Sequence, residues 1–137
     1  NNINILNEFV VNLVSSDMLE NMVETAAVYA PEESEPDILG LSLTSSKKVK
    51  PPRLTDAPVA IECERMMSLS LSSERSILLG RAVGVCAKNG LIDATTLNVD
   101  WSNDYPIARL FADQYAEIGR IRRYSIPKPK RAHQGKD

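Results

Sequence analysis

Residues 57–88 read APVAIECERMMSLSLSSERSILLGRAVGVCAK, and this run decides the fold class. Val59, Ile61 and Cys63 alternate with Ala60, Glu62 and Glu64, the two-residue period of a half-buried strand. Residues 57–71 are therefore expected as one long strand ending at residues 72–74, with residues 75–88 returning as its hairpin partner. On that second strand Ile77, Leu79, Val83 and Val85 share one face. Leu78, Gly80, Ala82, Gly84 and Cys86 share the other, small enough for another backbone or a ligand to come close. Glu62 and Glu64, two apart, lie on one face and read as a solvated or ion-paired couple rather than as catalytic acid and base. The apolar residues within 66–71 and 77–79 suit either a core or a subunit interface.

Outward from the hairpin, EFVVNLV (8–14) is β-branched and apolar and reads as a strand, preceded by the last turns of a helix in residues 1–6. From Asp17 the period changes. Met18, Leu19, Met22, Val23, Ala26 and Ala27 recur at helical spacing, and Asp17 with Glu20 resembles a capping box, so a helix is expected over 17–28. Pro31 and Pro36 bracket an acidic loop, and Ile38, Leu39 and Leu41 around Gly40 suggest a short packed turn. KKVKPPR (47–53) is expected to be extended, since Pro51 and Pro52 hold the preceding residues out of the helical region. Asn89-Gly90 closes the hairpin strand, residues 93–97 read as a short helix, 108–116 as one or two helical turns and 117–126 as a last strand. Residues 128–137 are expected as a disordered basic tail. The reading is mainly β with flanking helices.

The 137 residues are about one domain's worth, and 43% apolar with 25% charged residues is ordinary for a globular protein. No run approaches the length of a membrane helix, and neither a signal peptide nor a bilayer span is read. The chain opens on Asn1 with Ile3, Ile5 and Leu6 already patterned, so its start is read as the middle of an element. Cys63 and Cys86 have no CxxC spacing, which points to free thiols in a reducing, cytoplasmic setting rather than to zinc or a redox dithiol. Residues 1–46 hold eight acids and no Lys or Arg, whereas Lys47, Lys48, Lys50 and Arg53 cluster. Such a cluster suits a phosphate-bearing ligand or a solvated edge. Nucleic acid is not expected from an acidic, aromatic-poor domain. His133 is the single histidine and lies in the tail, which excludes a Ser-His-Asp triad and argues against a His-ligated metal. Neither GxGxxG nor GxxxxGK[ST] occurs.

The order of several segments carries more. EFVVNLVSSDM (8–18), AAVY (26–29), ILGLSLTSSKKVKPPRLTDAPVAIECE (38–64), ILLGRAVGV (77–85), ARL (108–110) and QY (114–115) together resemble the flavin reductase-like family of FMN-binding split β-barrels. The resemblance runs to about residue 127. It implies that residues 1–127 are a partial domain lacking the family's first strands and its Lys-Asp-Thr phosphate motif. It further implies FMN as cofactor, NAD(P)H as hydride donor, an onward electron acceptor and a homodimer. A flavin reductase is the implied activity, with a non-catalytic flavin-binding or structural split barrel as the alternative.

The resemblance also assigns residues. Asn12 matches the Asn of the family's F-V-V-N run, although its amide equally suits a sheet edge. Tyr29 matches an aromatic position able to lie over the flavin or to pack in the core. Arg75 stands where many relatives have His, near the expected nicotinamide, replacing a titratable ring by a permanent cation. It also suits a plain hairpin decoration. Arg109, Leu110 and Tyr115 resemble the family's R-L-G-G…Y segment. Phe111 and Ala112 replace its glycines, so close backbone approach is lost and Phe111 is offered for stacking instead. Lys47, Lys48 and Lys50 match a commonly basic stretch that meets phosphate or solvent. No side chain is required as acid or base, because the cofactor carries hydride chemistry.

Overall fold

The computed structural model describes residues 6–27, 29–30, 34–72, 75–101, 104–119, 122 and 124–125. Strand β1, Glu8–Asn12, is the core of the expected first strand. A 3-10 turn, Ser16–Met18, leads into helix α1, Leu19–Glu24. The helix is shorter than its apolar period suggested. Ala26 N–H bonds Val23 O and Ala27 N–H bonds Glu24 O, a three-residue spacing that tightens and ends the last turn. Asp17 is not its cap: the Ser15 hydroxyl donates to the Asp17 carboxylate. Helix α2, Glu35–Ile38, carries Pro36 in its first turn and ends before Gly40, whose φ of 63° suits glycine.

Strands β2, Leu43–Thr44, and β3, Arg53–Leu54, pair antiparallel. Next comes the long hairpin, β4 (Val59–Ser70) with β5 (Ser76–Ala87), as the alternation foretold. Strands β6, Ala108–Arg109, and β7, Tyr115–Ala116, form a last pair. The main sheet has the order β1-β4-β5, antiparallel throughout, with Glu8 opposite Glu64, Val10 opposite Glu62 and Asn12 opposite Ala60.

Four expectations are corrected. Residues 93–97 form a turn rather than a helix, because Asp93 Oδ1 accepts the amides of Thr95 and Thr96 at 2.8 and 2.9 Å, a local alternative to helical bonding. Residues 108–116 form a tight hairpin rather than helical turns. Ile107 N–H bonds Val14 O at 2.8 Å, which holds the entry extended, and Leu110 N–H reaches Gln114 O across a turn in which Ala112 has φ 56°. Residues 47–51 bend rather than run extended. Among the described residues of 117–126 there is no strand, and the readings on residues 1–5 and 128–137 lie outside the described residues.

The core sits at one end of the hairpin. Val59, Ala60 and Cys63 are buried there with Val49, Ala57 and Leu91, whereas Met66, Met67, Leu69, Leu71, Ile77 and Leu79 at the other end are exposed. Two register shifts divide the hairpin. Val83 is extra on β5 between the pairs Glu62–Gly84 and Cys63–Ala82, and Met66 is extra on β4 between Arg65–Gly80 and Met67–Leu79. The first shift sends the small residues of β5 to different neighbours. Gly84 meets the Glu62 carboxylate and the Lys48 stem, while Gly80 lies beneath the Phe9 ring. The close approach expected along this strand is thus made by side chains of the chain itself.

A Cβ at residue 80 would stand 2.5 Å from Phe9 Cζ and 2.9 Å from Phe9 Cε1. Overpacking of this kind costs about 1–3 kcal/mol, more than the ~0.5–1 kcal/mol that leaving glycine returns. Gly80→Val is expected to lower stability in urea denaturation, and Phe9→Ala in the same chain to recover part of the loss. Equal stability of parent and Gly80→Val would contradict this packing.

Candidate functional site

The strip 47–54 lies across one face of β1 and β4 without belonging to that sheet, so its amides need partners from side chains. They find them in a row. Glu62 Oε1 and Oε2 accept Lys47 N–H at 3.0 and 3.2 Å, and Oε2 accepts Lys48 N–H at 2.6 Å. Glu8 Oε2 accepts Lys50 N–H at 2.8 Å, and Asn12 Oδ1 accepts Leu54 N–H at 3.1 Å. Pro51 and Pro52 have no N–H to satisfy. Register explains the row: Glu8, Val10 and Asn12 on β1 stand opposite Glu64, Glu62 and Ala60 on β4, which puts all three acceptors on one face.

Glu62 is 0% exposed, so the expected solvated or ion-paired reading of this residue is corrected. It is held by amides, with the Cys86 thiol donating to Oε1 at 3.5 Å. The bonds from Lys47 outweigh the burial that opposes ionisation, and with help from the Lys48 amide, the Cys86 thiol and the Val49 amide they hold the carboxyl below its ordinary 4.5. The signal was a single Glu in an apolar strand, VAIEC, together with a proline-rich strip whose amides had no obvious partners.

Helix α1 is the wall between two cavities. On one side Leu19, Val23 and Ala26 face Arg109, Ala112 and Tyr115 across an open cleft of about 630 Å³, rimmed by Glu20, Glu24 and Asp113. Arg109 lies over the Tyr115 ring at 5.8 Å and donates to Ala112 O at 3.3 Å, which closes the β6–β7 turn. On the other side Met18, Met22 and Thr25 face Asn12, Leu41 and Leu54 around about 150 Å³.

The structure therefore brings Arg109 and Tyr115 into one cleft and puts Asn12 on the far side of the same helix. Phe111 is 85% exposed at the β6–β7 turn. Tyr29 turns back on α1, its hydroxyl donating to Glu24 O at 3.1 Å. Arg75 is exposed at the distal turn of the long hairpin, where its amide bonds Ser72 Oγ and its carbonyl accepts Leu71 N–H. No group of His, Cys, Asp and Glu among the described residues could hold a metal ion. No helix among them is long and apolar enough to cross a membrane.

A family model of the flavin reductase like domain matches residues 1–114. An uncharacterized protein of Aquifex aeolicus (strain VF5) is 33% identical over 110 residues, which make up 80% of this chain and 55% of that one. The solved 2-nitrobenzoate 2-nitroreductase of Pseudomonas fluorescens superposes with a TM-score of 0.83 at 32% identity, covering 96% of this chain and 66% of the nitroreductase. The split barrel domain of a Shewanella frigidimarina NCIMB 400 protein superposes with a TM-score of 0.80 at 20% identity, covering 92% of this chain and 64% of that one. The chain thus spans little more than half the length of the curated relative. The expected split barrel is borne out, and the described sheets are open portions of it.

Because the Glu62 carboxyl is held below its ordinary value, its contribution to stability is complete above pH 4.5 and is lost as pH falls through the lowered value. Glu62→Gln, which puts an amide NH2 against the strip's N–H groups, is expected to cost roughly 1–3 kcal/mol near neutral pH. In urea denaturation over a falling pH series the gap between parent and variant should narrow. A gap that stays constant through the carboxylate range would show that ionisation of Glu62 does not hold the strip.

Proposed function

The chain belongs to the flavin reductase-like family, and from that premise we propose that it is the FMN-binding part of an oxidoreductase that takes hydride from NAD(P)H and passes electrons to an acceptor. The observation that carries the reading is the cleft between α1 and the β6–β7 turn. Its volume of about 630 Å³ falls within the usual range for cofactor sites, and its walls are largely apolar, with Arg109 and Tyr115 on one side and Glu20, Glu24 and Asp113 at the rim. That chemistry fits a flat, mostly apolar ring with polar edges. Bound FMN supplies the hydride-accepting chemistry.

The chain's own residues then have defined work. Leu19, Val23 and Ala26 give the ring an apolar wall and keep water from it. Arg109, held on Tyr115 and on Ala112 O, presents a fixed donor, and Tyr115 offers its ring edge. Asn12 and Tyr29 brace the helix that forms the wall, Asn12 through β3 and Tyr29 through Glu24 O. The resemblance implies that both contact the flavin, Tyr29 by lying over it; in this reading they serve the cofactor by holding the wall in place. Phe111, exposed beside the cleft, is assigned to stacking on the bound ring. Arg75, at the distal turn of the long hairpin, is assigned to the nicotinamide donor, pairing with a phosphate or carboxylate. Support for a homodimer comes from the exposed apolar arm of Met66, Met67, Leu69, Leu71, Ile77 and Leu79, which a partner subunit would cover. Free thiols at Cys63 and Cys86 are in keeping with a cytoplasmic site of action.

The deciding measurement is the visible spectrum of the protein after incubation with FMN and removal of unbound flavin by gel filtration, before and after anaerobic NADH or NADPH. The expected result is a flavin band that either nucleotide bleaches, with Tyr115→Ala weakening flavin affinity roughly fivefold. A band that neither nucleotide bleaches would make the protein a non-catalytic flavin binder. The absence of any band would sink the flavin assignment.

A further inference from the structure

Helix α1 has a second lined side, away from the cleft. The cavity there measures about 150 Å³, close to what one benzene ring fills in an apolar interior and too small for the three fused rings of a flavin. Val14, Met18, Met22, Leu41 and Leu54 make up its apolar lining, and among the described residues no charged side chain lines it. Asn12, Thr25, Leu41 and Leu54 also line an open trough of about 270 Å³, whose one charged residue is Glu35. The two spaces adjoin, so a ring seated in the cavity has room for a short substituent in the trough.

The polar groups fix what such a ring must carry. Asn21, on the cavity lining, is exposed. The Thr25 hydroxyl donates to Met22 O at 2.7 Å, and Asn12 Oδ1 accepts Leu54 N–H at 3.1 Å. What remains where cavity and trough meet is the Asn12 NH2, which makes no hydrogen bond among the described residues. A water held there needs about two to four polar partners and finds few, so an acceptor oxygen on an otherwise apolar ligand replaces it with gain. Met18 and Met22 suit the ring itself, because thioethers adapt to irregular shapes and make favourable contacts with aromatic edges. An anion is disfavoured, since no cation lines either space and Glu35 stands on the trough.

We propose that this cavity is a binding site for a compact, uncharged aromatic molecule carrying one acceptor oxygen, the ring lying on Met18 and Met22 and the oxygen on the Asn12 NH2. The site stands on this geometry and does not depend on flavin in the cleft.

The test uses the four methionines as reporters. The chain, isotope-labelled at the methionine methyls and the asparagine amides, is titrated by NMR with acetophenone, ethylbenzene and benzoate. Met18 and Met22 line the cavity, whereas Met66 and Met67 lie exposed on the long hairpin and report adsorption to its apolar arm. Acetophenone is expected to shift the Met18 and Met22 methyls saturably and to leave Met66 and Met67 in place, with benzoate binding far more weakly. The Asn12 NH2 resonance should move with acetophenone and not with ethylbenzene, a readout that needs no variant to fold. Asn12→Asp keeps an acceptor for Leu54 N–H and removes the donor. It should weaken acetophenone about fivefold, as for loss of one neutral hydrogen bond, and change ethylbenzene less. Shifts confined to Met66 and Met67, no shift at any methionine, benzoate binding as tightly as acetophenone, or an Asn12 NH2 that acetophenone does not move would each overturn the proposal. Competitive displacement of acetophenone by FMN overturns it as well, because the cavity would then belong to the flavin's own site. A chain that binds acetophenone here and no FMN at all keeps this site and loses the flavin reading.

Discussion

The Glu62 carboxylate is the constraint on which the rest of this structure depends. It is a charge with no exposed surface, and its stability rests on backbone amides rather than on a partner cation. A buried carboxylate left alone would take up a proton; one that accepts several N–H bonds stays ionised because those bonds favour the charged form. The exchange is mutual. The 47–54 strip runs outside the main sheet, and without Glu62, Glu8 and Asn12 its amides would be orphaned against the sheet face. The prolines belong to the same solution, since they break ordinary secondary structure where the acceptors run out and bring no donor of their own.

From that junction the molecule divides. On the near side the hairpin is buried, the strip is fastened to it, and β3 leads across to the wall of α1. On the far side the same two strands carry apolar residues to solvent beyond the Met66 shift. One hairpin thus serves two purposes, as anchor for the fold and as an uncovered arm, with strand irregularities between them. Helix α1 plays a comparable double part. It is short, and no residue of it is buried, yet its two sides line different cavities because β1 and the β6–β7 turn approach it from opposite directions.

Where local pattern and tertiary structure agreed, the pattern was long. Strand β1 and the 12-residue strands β4 and β5 follow directly from alternating and β-branched residues. Where they disagreed, the segment was short and a distant or polar contact decided it. Residues 108–116 carry residues compatible with a helix, but the bond from Ile107 to Val14 O fixes the entry as a strand. Residues 93–97 carry helix-like apolar spacing, but the Asp93 carboxylate captures two amides first. Of the residues singled out for the site, Arg109 and Tyr115 meet because residues 108–116 form a hairpin rather than the expected helical turns, and the placement of α1 opposite them did not follow from spacing either.

By itself the sequence determined the mainly β class, the long hairpin and, through the order of its segments, the split-barrel family, because each of these is written in periodicity or order over many residues. It also determined where positive charge would gather, at residues 47–53. Only the tertiary structure decided which of the two glutamates two apart on β4 would be buried, which face of β5 each glycine would serve, and that the Lys48 amide would be fastened to Glu62. Those outcomes turn on a register and on one extra residue in a strand. A shift of one position exchanges the faces of every residue beyond it, and no local pattern records such a shift.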